Sequence, residues 1–217
     1  MGFKHKTLVA LLLILTAGRM SAHAQTDGHN TAAITIFVYN DARVPHAELD
    51  AAEQQASFIF RASGVTVDWL NCVDAHEIKE DCHRLLDPNE FMVHIVPTGR
   101  TSSDAVFGVA FLAEDGNGKY SDVFFDRIQD AHRIVGASAA TLLAAVTAHV
   151  LGHLLLGPHA HSPLGIMSPR WGPEDLSRIS IGSLRFTPEQ SARMRLRIQT
   201  WQTHTPALHF AKAHGID

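Results

Sequence analysis

The sequence predicts a single mixed α+β domain in which a β-sheet packs against one long buried helix. The chain has 217 residues, which is enough for one sizeable core and favours one domain over two. Segments with strand and helix patterns follow one another in the order β-α-β-β-β-β-α, before irregular chain and a last helix. The long helix is apolar on nearly all sides, which is typical of a helix buried against a sheet.

The first half of the domain is predicted to contain a strand, a helix and a second strand. Residues 33–39 are β-branched and aromatic and predict a buried strand. Pro45 suits the start of a helix, because its missing N–H would have no partner there. Gly64 suits the position just past the end of that helix. Residues 65–70 alternate between apolar and polar and predict the second strand.

Three further strands and two helices complete the prediction. The strands are expected at 91–96, 106–112 and 120–128. Ser138 can cap the long helix, which stops at Gly157. A last helix begins at Thr187, with Gln190 in the spacing of a capping box.

The first 24 residues have the pattern of a secretory signal peptide. Lys4 and Lys6 make a basic start, residues 7–17 are apolar, and Ala22-His23-Ala24 offers small residues to a signal peptidase. A membrane anchor or a buried helix would be the alternative, but the run is shorter than the roughly 20 apolar residues that span a bilayer. We therefore predict a signal peptide at 1–24 and a mature domain at 25–217, periplasmic or secreted, without a stable membrane anchor.

The charge of the mature chain argues against nucleic acid as a partner. Cleavage removes Lys4, Lys6 and Arg19 and no acidic residue, so the formal charge changes from −4 to −7. An acidic protein without basic clusters gives no reason to expect nucleic acid or an anionic membrane surface.

The two cysteines, Cys72 and Cys82, predict one local disulfide. In an oxidising compartment, a pair ten positions apart favours a disulfide over two free thiols, and a bond of this span stabilises by about 2–3 kcal/mol. The spacing is not that of a two-cysteine zinc knuckle.

A cluster of histidines follows the middle of the long helix. His149 and His153 are four residues apart, so both imidazoles lie on one face of the helix and can bind one metal ion. A zinc site that performs catalysis usually takes three protein ligands and a water molecule. His159 and His161 follow the stop at Gly157, where the chain can turn back and supply the third ligand.

The segment 149–167 resembles the metzincin zinc peptidases. The motif carrying this resemblance is His149-Val150-Leu151-Gly152-His153-Leu154-Leu155-Leu156-Gly157, followed by His161-Ser162 and Gly165-Ile166-Met167. It looks most like secreted bacterial peptidases with H-E-x-G-H-x-L-L-G and H-S-x-x-G-I-M. The likeness covers most of the mature chain, including residues 64–72, 120–127 and 171–190. It implies a zincin-type fold, with a twisted sheet beside a substrate cleft and an active-site helix.

The resemblance also assigns the residues of a zinc site. His149 and His153 become the first two ligands of Zn²⁺, and Met167 becomes the methionine of the turn beneath the metal. The strict family spacing places the third ligand at His159, whereas the His-Ser pair of the family falls on His161. We favour His161 and keep His159 as the alternative.

One departure from the motif bears on activity. In the family, the glutamate after the first histidine takes a proton from the zinc-bound water and delivers one to the leaving amine. Here that position is Val150, which can do neither. Loss of a positioned general base typically costs about 10²–10⁴-fold in rate. We therefore assign no catalytic residue.

Three hypotheses follow for a protein that would act on, or bind, a peptide or protein. The first is an exported zinc-binding pseudopeptidase with impaired catalysis. The second is an active secreted zinc peptidase with a displaced acid/base residue, for which Glu114, Asp115 and, more weakly, Asp126 are candidates. The third is a metal-free binding module whose histidines no longer bind zinc.

Overall fold

The sheet of the domain has five strands, of which four are parallel. The computed structural model describes residues 31–74, 77–99, 101 and 106–204, so the predicted signal peptide lies outside the described residues. The strands are β1 Ala32–Asn40, β2 Val65–Asn71, β3 Val73–Asp74, β4 Glu77–Ile78, β5 Glu90–Val96, β6 Gly108–Phe111 and β7 Tyr120–Phe124. The main sheet has the order β2-β1-β5-β7-β6. Only its edge strand β6 is antiparallel to its neighbour, and β3 and β4 form a separate ribbon.

Five helices are present in the described part of the chain. They are α1 His46–Arg61, α2 Phe125–Val135, α3 Ala139–Leu156, α4 Pro173–Ser180 and α5 Pro188–His204. Together with the mixed sheet they confirm the predicted single α+β domain.

Helix α3 forms the centre of the core. It begins where the Ser138 hydroxyl accepts a hydrogen bond from the Thr141 amide at 3.1 Å, as the capping prediction requires. It ends at Gly157, whose φ of +85° is accessible to glycine at little cost. By length and composition α3 could cross a membrane, but 72% of this 18-residue segment is buried inside the protein. It is therefore the core helix of the domain.

The predicted strand at 120–128 is wrong in its second half. Strand β7 ends at Phe124, and helix α2 begins at Phe125. Phe125 and Ile128 are buried, and Ala131 and Val135 pack against the same core. This spacing is helical, and the run of apolar residues across 123–125 concealed the change of period. Asp126 accordingly lies in the first turn of a helix and not on a strand.

The disulfide predicted between Cys72 and Cys82 is present. It joins the end of β2 to a 3-10 helix at Glu80–His83. Both cysteines pack with Phe37 in a small second cluster of buried residues. The bond thus ties the β3–β4 ribbon to the main sheet.

Candidate metal centre

Three histidine side chains converge at the C-terminal half of α3. The Nε2 atom of His153 lies 3.2 Å from Nε2 of His149 and 3.1 Å from Nε2 of His161. The potential ligand atoms of the three residues all lie within 4.8 Å of one another. The same atom of each ring thus faces a common point, as the ligands of a single ion must.

Two elements bring these side chains together. His149 and His153 lie one turn apart on α3. His161 arrives from the chain beyond Gly157. His159 and His161 are both exposed, but of the two only His161 belongs to the converging group, so the structure brings His161 and not His159 to the two helical histidines.

A hydrogen bond fixes the orientation of the His149 ring. Its Nδ1 lies 2.7 Å from the carbonyl oxygen of Ile166. A carbonyl oxygen only accepts, so Nδ1 carries the proton and the lone pair of Nε2 points towards the other two histidines. The Trp171 indole N–H donates to the same carbonyl at 3.2 Å and its ring meets that of His149 edge-on. This arrangement is typical of a histidine that binds a metal.

Burial favours the neutral form of the two histidines on α3 by lowering the pKa of each. Burial, helped by the neighbouring His149 and His161 and opposed by a backbone hydrogen bond with Gly157, lowers the pKa of His153 to about 4. Burial also lowers the pKa of His149, opposed by the hydrogen bond to Ile166. Neutral imidazole is the form that binds a metal, so His149 and His153 need not lose protons to bind one at neutral pH.

The geometry fits a zinc ion. An ion bound tetrahedrally at about 2.0–2.1 Å from each nitrogen holds neighbouring ligand atoms about 3.3–3.4 Å apart. The Nε2 atom of His153 lies 3.2 Å from that of His149 and 3.1 Å from that of His161, close to this value. Three imidazole nitrogens with no carboxylate in the group suit zinc better than magnesium or calcium, which prefer oxygen ligands.

Met167 lies in a turn that packs against α3 at Gly152, where the missing side chain makes room for it. Met167 is fully buried. A Cβ atom added to Gly152, on α3 between the two histidines, would overlap Met167 Sδ and lie 2.9 Å from Phe186 Cε1. The Met167 carbonyl accepts a hydrogen bond from the Ser162 amide at 3.0 Å, which joins the turn to the residue after His161. The absent side chain of Gly152 thus sets how closely the turn approaches the metal-binding face of α3.

Val150 is buried beside the histidines. It is 2% exposed and belongs to the main hydrophobic core. Its branched side chain carries no group that can hold or move a proton.

The candidate replacement carboxylates have other partners or lie at the surface. Asp126 accepts hydrogen bonds from the amides of Gly99 and Arg127. Asp115 is exposed and accepts from the backbone and side chain of Asn117, and these bonds lower the pKa of Asp115. Glu114 is also exposed. Within the described ranges, the group able to hold a metal contains none of these three carboxylates.

Helix α5 holds the C-terminal end of α3. The Arg193 guanidinium donates to the Leu156 carbonyl at 3.0 Å, and that of Arg197 donates to the Leu155 carbonyl at 3.3 Å. These carbonyls belong to the last turn of α3, where no further helical amide can reach them. Sequence reasoning missed both contacts, since they join residues 37 and 42 positions apart.

No protein-family model and no curated protein matches the chain. Among solved structures, it is similar to metalloproteinase-II from Bacteroides fragilis, with 14% sequence identity and a TM-score of 0.49. The match covers 79% of this chain and 55% of that one, so the chain spans little more than half the length of that structure. A likeness this remote does not indicate an activity.

Proposed function

We propose that this protein is an exported zinc-binding protein of the metzincin type, a pseudopeptidase that binds a peptide or protein and cleaves it poorly or not at all. The observation that supports this most is the convergence of three Nε2 atoms beside a buried valine. The first feature provides a metal site, and the second removes the proton transfer that peptide hydrolysis needs.

His149, His153 and His161 would hold the zinc. A bound zinc ion supplies Lewis acidity and lowers the pKa of a coordinated water towards 7. The chain's own contribution is to orient the ligands through Ile166 and the turn at Met167. Val150 can neither accept a proton from water nor donate one to a leaving amine, so the acid–base half of the mechanism is missing.

The disulfide supports the proposed location. Cys72 and Cys82 are bonded, and such bonds persist mainly in oxidising compartments. The proposal of export combines this bond with the signal-peptide pattern of residues 1–24.

Metal analysis tests the proposal. Residues 25–217, prepared without a His-tag, should contain about one zinc per chain by elemental analysis, and His149→Ala should lose it. Peptide cleavage at rates ordinary for a metallopeptidase, abolished by a chelator, would contradict the impaired catalysis. In that case Glu114→Gln and Asp115→Asn would identify a displaced base. If no zinc binds even when it is added back, a metal-free binding module is the better description.

A further inference from the structure

We propose that Gln190 is a positioning residue that selects His161, and not His159, as the third zinc ligand. This inference rests on the zinc site proposed above. It concerns a residue of helix α5 that lies 30 positions from the loop it contacts.

The side-chain amide of Gln190 donates hydrogen bonds to the loop on both sides of His161. Gln190 is 4% exposed. Its Nε2 donates to the Ala160 carbonyl at 3.0 Å and to the Ser162 hydroxyl at 3.0 Å. An amide nitrogen carries two hydrogens, so both bonds form at once. The residues before and after His161 are therefore fixed to the same side chain.

The other end of the amide fixes which way it faces. The Gln190 Oε1 atom accepts a hydrogen bond from the backbone N–H of Thr187 at 2.9 Å. The Thr187 hydroxyl in turn accepts one from the backbone N–H of Gln190 at 3.3 Å. This is the capping box at the start of α5. Because the oxygen is needed by the Thr187 N–H, the NH₂ group must face the loop, and a flipped amide would lose bonds at both ends.

The same contacts determine which histidine reaches the metal. Ala160 is 2% exposed and is held inward by its bond to Gln190, and His159 beside it is exposed. To place His159 at the site, the loop would have to shift by two residues and withdraw the Ala160 carbonyl from Gln190. The Ser162 hydroxyl also donates to the Leu164 carbonyl at 2.7 Å, which stiffens the chain just past His161.

The test compares two variants in the mature chain. Gln190→Met keeps the length of the side chain and removes the hydrogen bonds to the loop. Thr187→Ala is the matched control, because it weakens the same capping box but leaves the Gln190 amide on the loop. Zinc affinity is measured by competition with a chelator, and the ligand set by the visible absorption spectrum of the Co²⁺-loaded protein.

We expect Gln190→Met to bind zinc about 10–100-fold more weakly and to change the Co²⁺ spectrum, as loss of an outer-shell partner does. Thr187→Ala should match the unmodified chain in both measurements. Adding His159→Ala should weaken binding only in the Gln190→Met background, where the loosened loop lets His159 compete. If Gln190→Met fails to fold by circular dichroism, Gln190→Glu replaces it, because a carboxylate keeps the acceptor for Thr187 and lacks the donor.

Two negative results have different meanings. If the unmodified chain binds zinc and the Gln190 variants bind it equally well with the same Co²⁺ spectrum, the positioning role of Gln190 is refuted and the zinc site stands. If the unmodified chain binds neither zinc nor Co²⁺, the proposed zinc site fails and the role of Gln190 fails with it.

Discussion

Val150 packs directly against Gly108 of the edge strand β6. A Cβ atom added to Gly108 would lie 2.9 Å from Val150 Cγ1 and 2.6 Å from the Asp122 carbonyl oxygen. The helix that carries the histidines and the strand at the sheet edge therefore approach so closely that only glycine fits without a shift. Under the proposed assignment, the position expected to hold the general base is thus filled by an apolar contact of the core.

Placing a glutamate at position 150 tests whether Val150 is the reason for impaired catalysis. The zinc-loaded Val150→Glu variant should cleave peptides about 10²–10⁴-fold faster than the unmodified chain, because it regains a proton acceptor. The Val150→Gln variant places a side chain with the shape of glutamate but without its basic carboxylate, and it should cleave no faster than the unmodified chain. Each variant should lose about 1–3 kcal/mol of unfolding free energy, because it places a polar group at a buried position. Equal cleavage by both variants would show that the missing base is not what limits the rate.

Gly152→Ala should disturb the turn beneath the metal. Helix propensity alone favours alanine over glycine by about 1 kcal/mol. The added Cβ would overlap Met167 Sδ, so we expect a net loss of about 1–3 kcal/mol in thermal or urea unfolding, as overpacked cores show. Gly172→Ala is the control, since no atom lies within 4 Å of its Cβ position. A Gly152→Ala protein more stable than the unmodified chain would contradict the close approach of Met167.

Removal of the metal should destabilise the domain. The ligands lie on α3 and on the loop behind it, so zinc would bind the folded state and not the unfolded chain. At a free zinc concentration of 100 times its Kd, binding should raise the free energy of unfolding by about 2.7 kcal/mol. This raises the Tm by roughly 5–10 °C in a domain of this size. The measurement is a melting curve with zinc and with a chelator. His149→Ala should melt at the same temperature in both, and an unmodified chain that also did so would exclude a stabilising metal.

Glu53 should make stability depend on pH in the opposite direction to most carboxylates. Burial, opposed by a hydrogen bond with Asn71 and helped by the nearby Asp50, raises the pKa of Glu53 to about 7. Between pH 4.5 and 7 the Glu53 carboxyl group is ionised in the unfolded chain but still protonated in the folded chain. Its contribution to the free energy of unfolding is therefore full below pH 4.5 and is lost as the pH rises through 7.

The variant Glu53→Gln isolates this effect. It should match the unmodified chain in unfolding free energy at pH 4 and exceed it at pH 8 by about 1 kcal/mol, a value reduced because Glu53 is partly solvated. Urea unfolding at the two pH values measures the difference. An equal difference in unfolding free energy between the two proteins at both pH values would mean that Glu53 ionises normally in the folded state.

The strands and helices that have a clear local sequence pattern were predicted well. Strand β1 and helix α3 lie where their apolar patterns and the cap at Ser138 placed them. Helix α2 was missed because its buried residues continue the apolar run of β7 without a break. Its helical spacing and the left-handed Gly136 that ends it were the available signs. Helix α4 was also missed, although Pro173 at its first turn is a usual start.

The supports of the candidate site could not be predicted in the same way. The sequence indicated that His149 and His153 share a face, because that relation depends only on helical geometry. In our proposal the choice between His159 and His161 depends on Gln190, which contacts the loop, and the fit of Val150 depends on Gly108. These contacts join separate elements of the fold, so no local spacing reveals them.

The position of α5 in the chain gives the site an order of assembly. The three histidines are synthesised first. Gln190, Arg193 and Arg197, which hold the loop and the end of α3, follow 28 to 42 residues after the groups they contact. A chain that crosses a membrane with its N-terminus leading therefore completes its ligand geometry only when nearly all of the domain has emerged. For a protein exported as proposed, the zinc site would be complete, and zinc would be bound, only after helix α5 has reached the destination and packed against α3.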